Sequence, residues 1–227
     1  MQTLAILPIK SFSRAKRRLG PEYGAGSRSA LARAMFGDVL AALRRCEEID
    51  AIVVVTGEKK AIELAQSQGV AIVHEEEEEG QSSAVAPAIA RAKSHGFERV
   101  MLIPGDCPLA SPSEIDDLLK RCETTQAAAT IVPDRHEIGT NALVLVPPGA
   151  IEPQFGEDSL RRHAEQAKQL GLESRIERID SLALDIDSPE DLAELEERLK
   201  TWHGGAASTR GVIQQLQRLH QATAPTV

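Results

Sequence analysis

Three carboxylates and one run of cations carry most of the chemistry open to this sequence. Asp106 follows a short apolar run and a Pro-Gly pair in Met101-Leu-Ile-Pro-Gly-Asp106-Cys-Pro-Leu109. A turn of this kind delivers an aspartate to the carboxyl end of a strand, where open α/β sheets keep their ligands. Pro108 stops the turn from winding on as a helix, because its ring fixes φ and removes a donor. Asp185 and Asp187 stand two apart in Leu182-Ala-Leu-Asp185-Ile-Asp187-Ser-Pro-Glu-Asp191. On a strand such residues share a face, so one of them could join Asp106 on a divalent metal. The alternative is that Asp187 belongs only to the cap of the next helix. Lys10, Arg14, Lys16, Arg17 and Arg18 follow the first apolar run directly. Lys and Arg donors of this kind wrap phosphates. The reading is a metal at Asp106 that holds a nucleotide, with the basic loop around its phosphates.

Two glycine turns add anion sites. Gly139-Thr140-Asn141-Ala-Leu143 combines a permissive backbone with two small hydrogen-bonding side chains, which suits a compact anion. Phe155-Gly156-Glu-Asp-Ser159 opens a helix carrying Arg161, Arg162 and His163, and free N–H groups at a helix start attract anions. Gly80-Gln-Ser82-Ser83 opens another helix whose N–H groups could meet a base or a phosphate. The five glutamates at 75–79 just before it read as a solvated, self-repelling loop.

The elements that must position these residues follow from periodicity. Apolar runs without alternation predict buried strands at 3–7, 51–56, 70–73, 99–103, 127–132 and 144–146. Residues 182–187 resemble a further strand. Helices are expected after a Ser27 or Ser29 cap, over 59–68 with Gly69 closing it, over 80–94, after a Ser113 cap, from Ser159, and after Ser188-Pro189. Strands alternating with helices imply a mostly parallel sheet with right-handed crossovers. The expected architecture is a single three-layer α/β/α domain over 1–202. Residues 203–227 form a tail with a Gly/Ala/Ser hinge and an amphipathic helix bearing Ile213, Leu216 and Leu219. That helix could dock on the domain or on a second copy of the chain, giving a homodimer.

Composition narrows the function. The 227 residues are 42% hydrophobic and 26% charged, which is ordinary for one sizeable domain. An aromatic content of 3% argues against base-stacking platforms, and a net charge of −8 against a basic nucleic-acid footprint. Cys46, Cys107 and Cys122 are odd in number and widely spaced, which predicts reduced thiols in a cytoplasmic protein. No signal-peptide pattern opens the sequence, and no run approaches the roughly 18 apolar residues of a membrane span. Neither G-x-x-x-x-G-K-[ST] nor G-x-G-x-x-G occurs.

Four blocks together resemble a known family: Ile6-Leu-Pro-Ile-Lys10 with Ala15-Lys16-Arg17-Arg18-Leu19; Pro104-Gly-Asp106-Cys-Pro-Leu109; Gly139-Thr140-Asn141-Ala-Leu143 with Phe155-Gly156-Glu-Asp-Ser159; and Asp185-Ile-Asp187-Ser-Pro-Glu-Asp191. The chain is similar to guanylyltransferases of the CofC/FbiD type, which act in biosynthesis of the deazaflavin coenzyme F-420. The resemblance covers residues 1–199, and the tail lies outside it. It implies a nucleotide-diphospho-sugar transferase (glycosyltransferase-A-like) fold and transfer of GMP from GTP to a small phosphorylated acid, with release of pyrophosphate. The acid is phosphoenolpyruvate, 2-phospho-L-lactate or 3-phosphoglycerate.

By matching positions, Thr140, Gly156 and Ser159 would bind the acid. Asp106 and Asp185 would hold Mg²⁺, with Asp187 as the other candidate ligand. Pro8, Lys10, Gly80 and Ser82 would meet the nucleotide, and Lys10, Arg17 and Arg18 would be catalytic, stabilising charge on the leaving group. The family often has Gly-Leu-Asn where Gly80-Gln81-Ser82 stands here, a departure at the guanine contacts. Two alternatives compete: another nucleotidyltransferase of the same fold, such as a molybdopterin guanylyltransferase, and a non-catalytic nucleotide-binding module. The Phe-Gly-x-x-Ser block favours the phospho-acid enzyme over the first. The carboxylates argue against the second, since binding alone does not need them.

Overall fold

The computed structural model describes residues 1–20, 23–75 and 81–223. The first apolar run becomes strand β1 (Thr3–Pro8), buried along its whole length. It is followed by β2 (Ala51–Thr56), β3 (Ala71–His74), β4 (Arg99–Leu102), β5 (Ala129–Pro133), β6 (Thr140–Leu145) and β7 (Ser174–Ile176). Among the described residues these make one sheet in the order β3-β2-β1-β4-β6-β5-β7. β1 pairs in parallel with both β2 and β4, β2 with β3, and β5 with β7; β6 alone runs against its neighbours β4 and β5. From β1 the chain builds outward to β3 on one side, then returns to place β4 on the other. The carboxyl ends of β1 and β4 therefore flank the point where strand order reverses, and ligands of open sheets bind in the crevice outside such a point.

Alternate residues of the strands feed two apolar layers. Ala5, Leu7, Met101 and Val144 pack with helices α1 (Ala25–Leu43), α2 (Lys59–Ser67), α4 (Pro112–Thr124), α6 (Pro189–Thr201) and α7 (Ala207–Thr223). Leu4, Ile6, Leu102 and Leu143 pack on the other face with α3 (Gln81–Ser94) and α5 (Ser159–Gln169). This is the expected three-layer α/β/α arrangement.

Two helices start elsewhere than expected. α1 begins at Ala25 with Gly24 at its cap, which places Ser27 and Ser29 inside the helix. α4 is capped by Ser111 rather than Ser113, because Pro112 is pre-organised for the first helical position. β6 already begins at Thr140, so the Gly-Thr-Asn turn delivers its side chains from a strand end. Residues 182–187 are not a strand. Their backbone is held by single bonds, Ile186 N–H to Asp106 O at 3.2 Å and Arg135 N–H to Ala183 O at 2.7 Å. Burial still alternates: Leu184 and Ile186 are sealed in the core while Asp185 and Asp187 turn out. The short edge strand β7 is additional to the expected set.

The tail helix docks on its own domain. Asp38 of α1 accepts the N–H groups of Ser208 (3.0 Å) and Thr209 (2.7 Å), satisfying free donors at the start of α7. Ile213 and Leu216 are buried, whereas Leu219 is 53% exposed. The three cysteines are free and buried. Among the described residues no helix is long and apolar enough to cross a membrane.

Candidate active site

Asp106 sits just beyond β4 at the strand-order reversal. A Cβ at Gly105 would stand 2.4 Å from Ile9 Cδ1, so the glycine lets Ile9 close over the turn. The Ile186 bond to the Asp106 carbonyl pulls residues 184–187 against this turn. Asn141, at the start of β6, fixes their direction: its amide donates to Leu182 O at 2.8 Å and to Asp185 Oδ1 at 3.2 Å. Asp187 takes part in the helix cap and still faces the site. Its N–H donates to the Asp191 carboxylate, which with Ser188 forms the capping box of α6, while its own carboxylate turns to the site.

A cation closes this group. Lys16 Nζ lies 2.6 Å from Asp106 Oδ2 and 2.9 Å from Asp187 Oδ1, with its side chain only 7% exposed. Burial opposes the ammonium charge, but the two carboxylates outweigh it and hold Lys16 above the ordinary lysine range. Lys16 takes φ +57°, an uncommon conformation for a residue with a Cβ, and this turns its side chain inward from the basic loop. Negative charge is still in excess. Burial, then the charge of Asp106, pushes the Asp185 carboxyl up to about 6. Asp106 Oδ1 is buried with no hydrogen-bond partner.

Two clefts meet here. One, of about 240 Å³, is bounded by Pro8, Lys10, Lys16, Met35, Phe36 and the Asp106 turn. The other, of about 580 Å³, is bounded by Arg18, Thr140, Asn141, Phe155, Gly156, Ser159 and Asp185 among others. Pro104, Asp106 and Asp187 line both. Among the described residues, the second cleft sets the carboxylates of Asp106, Asp134, Glu157, Asp158, Asp185 and Asp187 against one lining cation, Arg18. Asp134 is occupied in building the wall: it accepts the N–H groups of His136, Ile138 and Gly139 at 2.9–3.0 Å. Gly156 adopts φ +107°, open to glycine but strained for other residues, as the loop turns into α5.

The expected site residues thus divide. Pro8 and Lys10 line the smaller cleft; Arg18, Thr140, Gly156 and Ser159 line the larger; Asp106, Asp185 and Asp187 gather where they join. Arg17 is exposed and borders neither cleft. Ser82 also borders neither; its hydroxyl accepts the Phe155 N–H at 3.0 Å, tying α3 to the loop that leads into α5. Gly80 lies outside the described residues. From sequence Lys16 counts only as one of five cations, Asn141 as one side chain of an anion turn and His163 as a residue of the helix after Gly156, with no separate role for any of them. Lys16 was hidden among its basic neighbours, and Asn141 beside Thr140.

The donor set suits a hard divalent cation, being carboxylate oxygen throughout. An orphaned buried oxygen on Asp106, a carboxyl raised on Asp185 and an ammonium drawn between two aspartates all point to demand for positive charge. Among the described residues no three His, Cys, Asp or Glu side chains form a ready metal cage. Mg²⁺ does not need one, since it ordinarily takes one or two carboxylates together with substrate phosphates and waters.

A family model described as "Guanylyl transferase CofC like" matches residues 3–219. The chain belongs to this family. Membership in the CofC-like family extends past the expected limit at residue 199 and takes in most of α7. A phosphoenolpyruvate guanylyltransferase from Conexibacter woesei is 44% identical, over 96% of this chain and 98% of its own. A 2-phospho-L-lactate guanylyltransferase from Methanothermobacter thermautotrophicus is 31% identical, over 96% and 92%. Among solved structures, a protein described as a nucleotide-diphospho-sugar transferase from Desulfovibrio desulfuricans G20 superposes with a TM-score of 0.75 at 18% identity, covering 98% of each chain. At that identity the likeness speaks for the fold alone, and it is the fold expected from sequence.

Proposed function

We propose that this CofC-like chain transfers GMP from GTP to phosphoenolpyruvate and releases pyrophosphate, with GTP in the smaller cleft and the acid in the larger. The observation that carries this reading is the pair of carboxylates, Asp106 and Asp187, shared by both cleft walls. Two polyanions must meet for the reaction to occur, and the shared wall is where their phosphates would converge. Phosphoenolpyruvate is assigned first because the relative at 44% identity carries that name. 2-Phospho-L-lactate and 3-phosphoglycerate share its phosphate and carboxylate and belong in the same assay.

A phosphate oxygen of the acid forms the new bond to the α-phosphorus of GTP while the bond to pyrophosphate breaks. The attacking phosphate has its second pKa near about 6, so it is ionised at neutral pH and requires no general base. Asp106 and Asp185, with Asp187, would hold Mg²⁺; when bound, the metal supplies charge neutralisation and alignment of the two phosphates. Lys16 and Lys10 line the smaller cleft and would stabilise charge gathering on the leaving pyrophosphate. Arg18 would offer a cation to the acid across the larger cleft. Thr140, Ser159 and the backbone at Gly156 would orient the acid by neutral hydrogen bonds.

Incubation with GTP, Mg²⁺ and each of the three acids, with pyrophosphate as the readout, tests the proposal. Pyrophosphate released with phosphoenolpyruvate in preference to the others is the expected result. Release with another acid alone would reassign the substrate, and release with none would overturn the proposed activity.

A further inference from the structure

His163 lies beneath the larger cleft, on the first turns of α5, and is completely buried. Both ring nitrogens are engaged. The Gln154 N–H donates to Nε2 at 2.8 Å, and Thr140 Oγ1 lies 3.1 Å from Nδ1. A backbone N–H can only donate, so Nε2 must present a lone pair, and the single proton of a neutral imidazole is left on Nδ1. Nδ1–H therefore donates to the Thr140 hydroxyl oxygen. The hydroxyl keeps its own proton, and with one lone pair occupied by the imidazole that proton is directed away from His163. Thr140 lines the acid cleft, so the direction left to its O–H is toward a bound anion.

The ring is itself held. Phe155 packs edge-on to the imidazole with centroids 5.5 Å apart at 77°. Arg162 Nη2 donates to Phe155 O at 3.1 Å, a further tie on the same loop. His163 thus supports two walls of the cleft at once: the Thr140 side, and the 154–156 loop that leads to Gly156. Burial, aided by the neighbouring Arg162 charge, lowers the His163 pKa to about 4, which keeps the ring neutral.

We infer that His163 is a positioning residue for the phosphorylated acid, acting through Thr140 by fixing its hydroxyl as a donor to the bound anion. The inference rests on the proposed reading that the larger cleft takes the acid. It predicts a division between the two substrates, since only the acid meets Thr140 and GTP does not.

The test compares KM for the acid and KM for GTP in His163→Ala, His163→Asn, His163→Gln, Thr140→Val and the double variant Thr140→Val/His163→Ala, with thermal melts as a check on folding. Asparagine can return an amide donor near the Nδ1 position, whereas glutamine places its amide near Nε2 and leaves Thr140 without a donor. His163→Ala should raise KM for the acid by about tenfold or more, the effect of one hydrogen bond to a charged group, with KM for GTP unchanged. His163→Asn should lie closer to wild type than His163→Gln. In the Thr140→Val background, loss of His163 should add little further. Equal rises in both KM values, glutamine rescuing better than asparagine, or full additivity in the double variant would each overturn the inference; if the alanine variant does not fold, the Asn/Gln order decides. Wild-type protein that turns over no acid removes the functional reading and this inference with it. Wild-type turnover with additive variants removes this inference alone.

Discussion

Lys16 Nζ lies 2.6 Å from Asp106 Oδ2, and the same ammonium reaches Asp187 Oδ1 at 2.9 Å. A lysine thus bridges two of the carboxylates assigned to Mg²⁺, at the wall that the two clefts share. The ammonium and a divalent cation would answer the same negative charge, so they compete for it. Lys16→Met should therefore show a larger Mg²⁺-dependent rise in melting temperature than wild type, because the metal no longer displaces an ion pair. Turnover of the same variant should fall by about a hundredfold, the usual scale for losing one charged donor to the reacting phosphates. A melting curve indifferent to Mg²⁺ in both proteins would contradict the competition.

Asp106→Asn keeps the size of the side chain and removes its charge. Pyrophosphate release should fall by roughly a thousandfold or more, as expected when charge neutralisation between two anions is lost. The far-ultraviolet circular dichroism and the cooperative melt should be retained. Near-normal turnover would show that Asp106 does not hold the metal.

Asn141 acts at one remove, through Asp185. Asn141→Leu removes the side-chain donor to Asp185 Oδ1 and leaves Leu182 O only the weak Cys107 thiol at 3.7 Å. A loss of about tenfold in metal affinity is expected, in line with other groups that orient metal ligands. Mg²⁺ titration of initial rates measures it, and an unchanged Mg²⁺ dependence would show that Asp185 is held by other means.

His163 makes folding stability depend on pH with a definite sign. Its folded pKa of about 4 lies below the ordinary histidine value near about 6.5. Between those values the unfolded chain binds more protons than the folded one, so stability rises with pH. The contribution is fully present above about pH 6.5, is lost as pH falls toward about 4, and changes no further below that. Its full size is on the order of 3 kcal/mol. Denaturant titrations across this window should show a shallower pH slope in His163→Asn than in wild type.

Asp191 gathers the start of α6. It accepts the N–H groups of Asp187 and Ser188, the Ser188 hydroxyl and the Arg135 guanidinium. Burial pushes its carboxyl up, but these donors outweigh burial and hold it below the usual carboxylate range. Asp191→Ala should cost about 1–3 kcal/mol in denaturant unfolding, as for a lost cap plus a buried ion-pair partner. It should also lower activity, because the Asp187 backbone is anchored there. Full activity at reduced stability would separate Asp187 from the metal site.

Much of this was legible in the residues themselves. The apolar runs at β1, β2 and β4, the Pro-Gly-Asp106 turn and the Ser188-Pro189 helix start are local patterns, and each formed near where its period or cap placed it. Residues 182–187 show the limit. Their alternation of apolar and acidic side chains is real, and it directs Asp185 outward, but among the described residues no strand pairs with them. Alternation records which side is buried, not whether a ladder partner exists.

By itself the sequence determined the strand–helix alternation, the position of Asp106 at a strand end and the glycine turns beside it, because these depend on propensities and periods over a few residues. Tertiary structure decided which member of the basic loop turns inward. Lys16 and Arg17 are adjacent and equally charged, yet Lys16 meets partners 90 and 171 residues away while Arg17 faces solvent. It likewise decided that Asn141 holds Asp185 and that His163 underlies Thr140. Such pairings are set by how the sheet, α5 and the 182–187 segment pack together, and no local pattern in the chain specifies contacts over those separations.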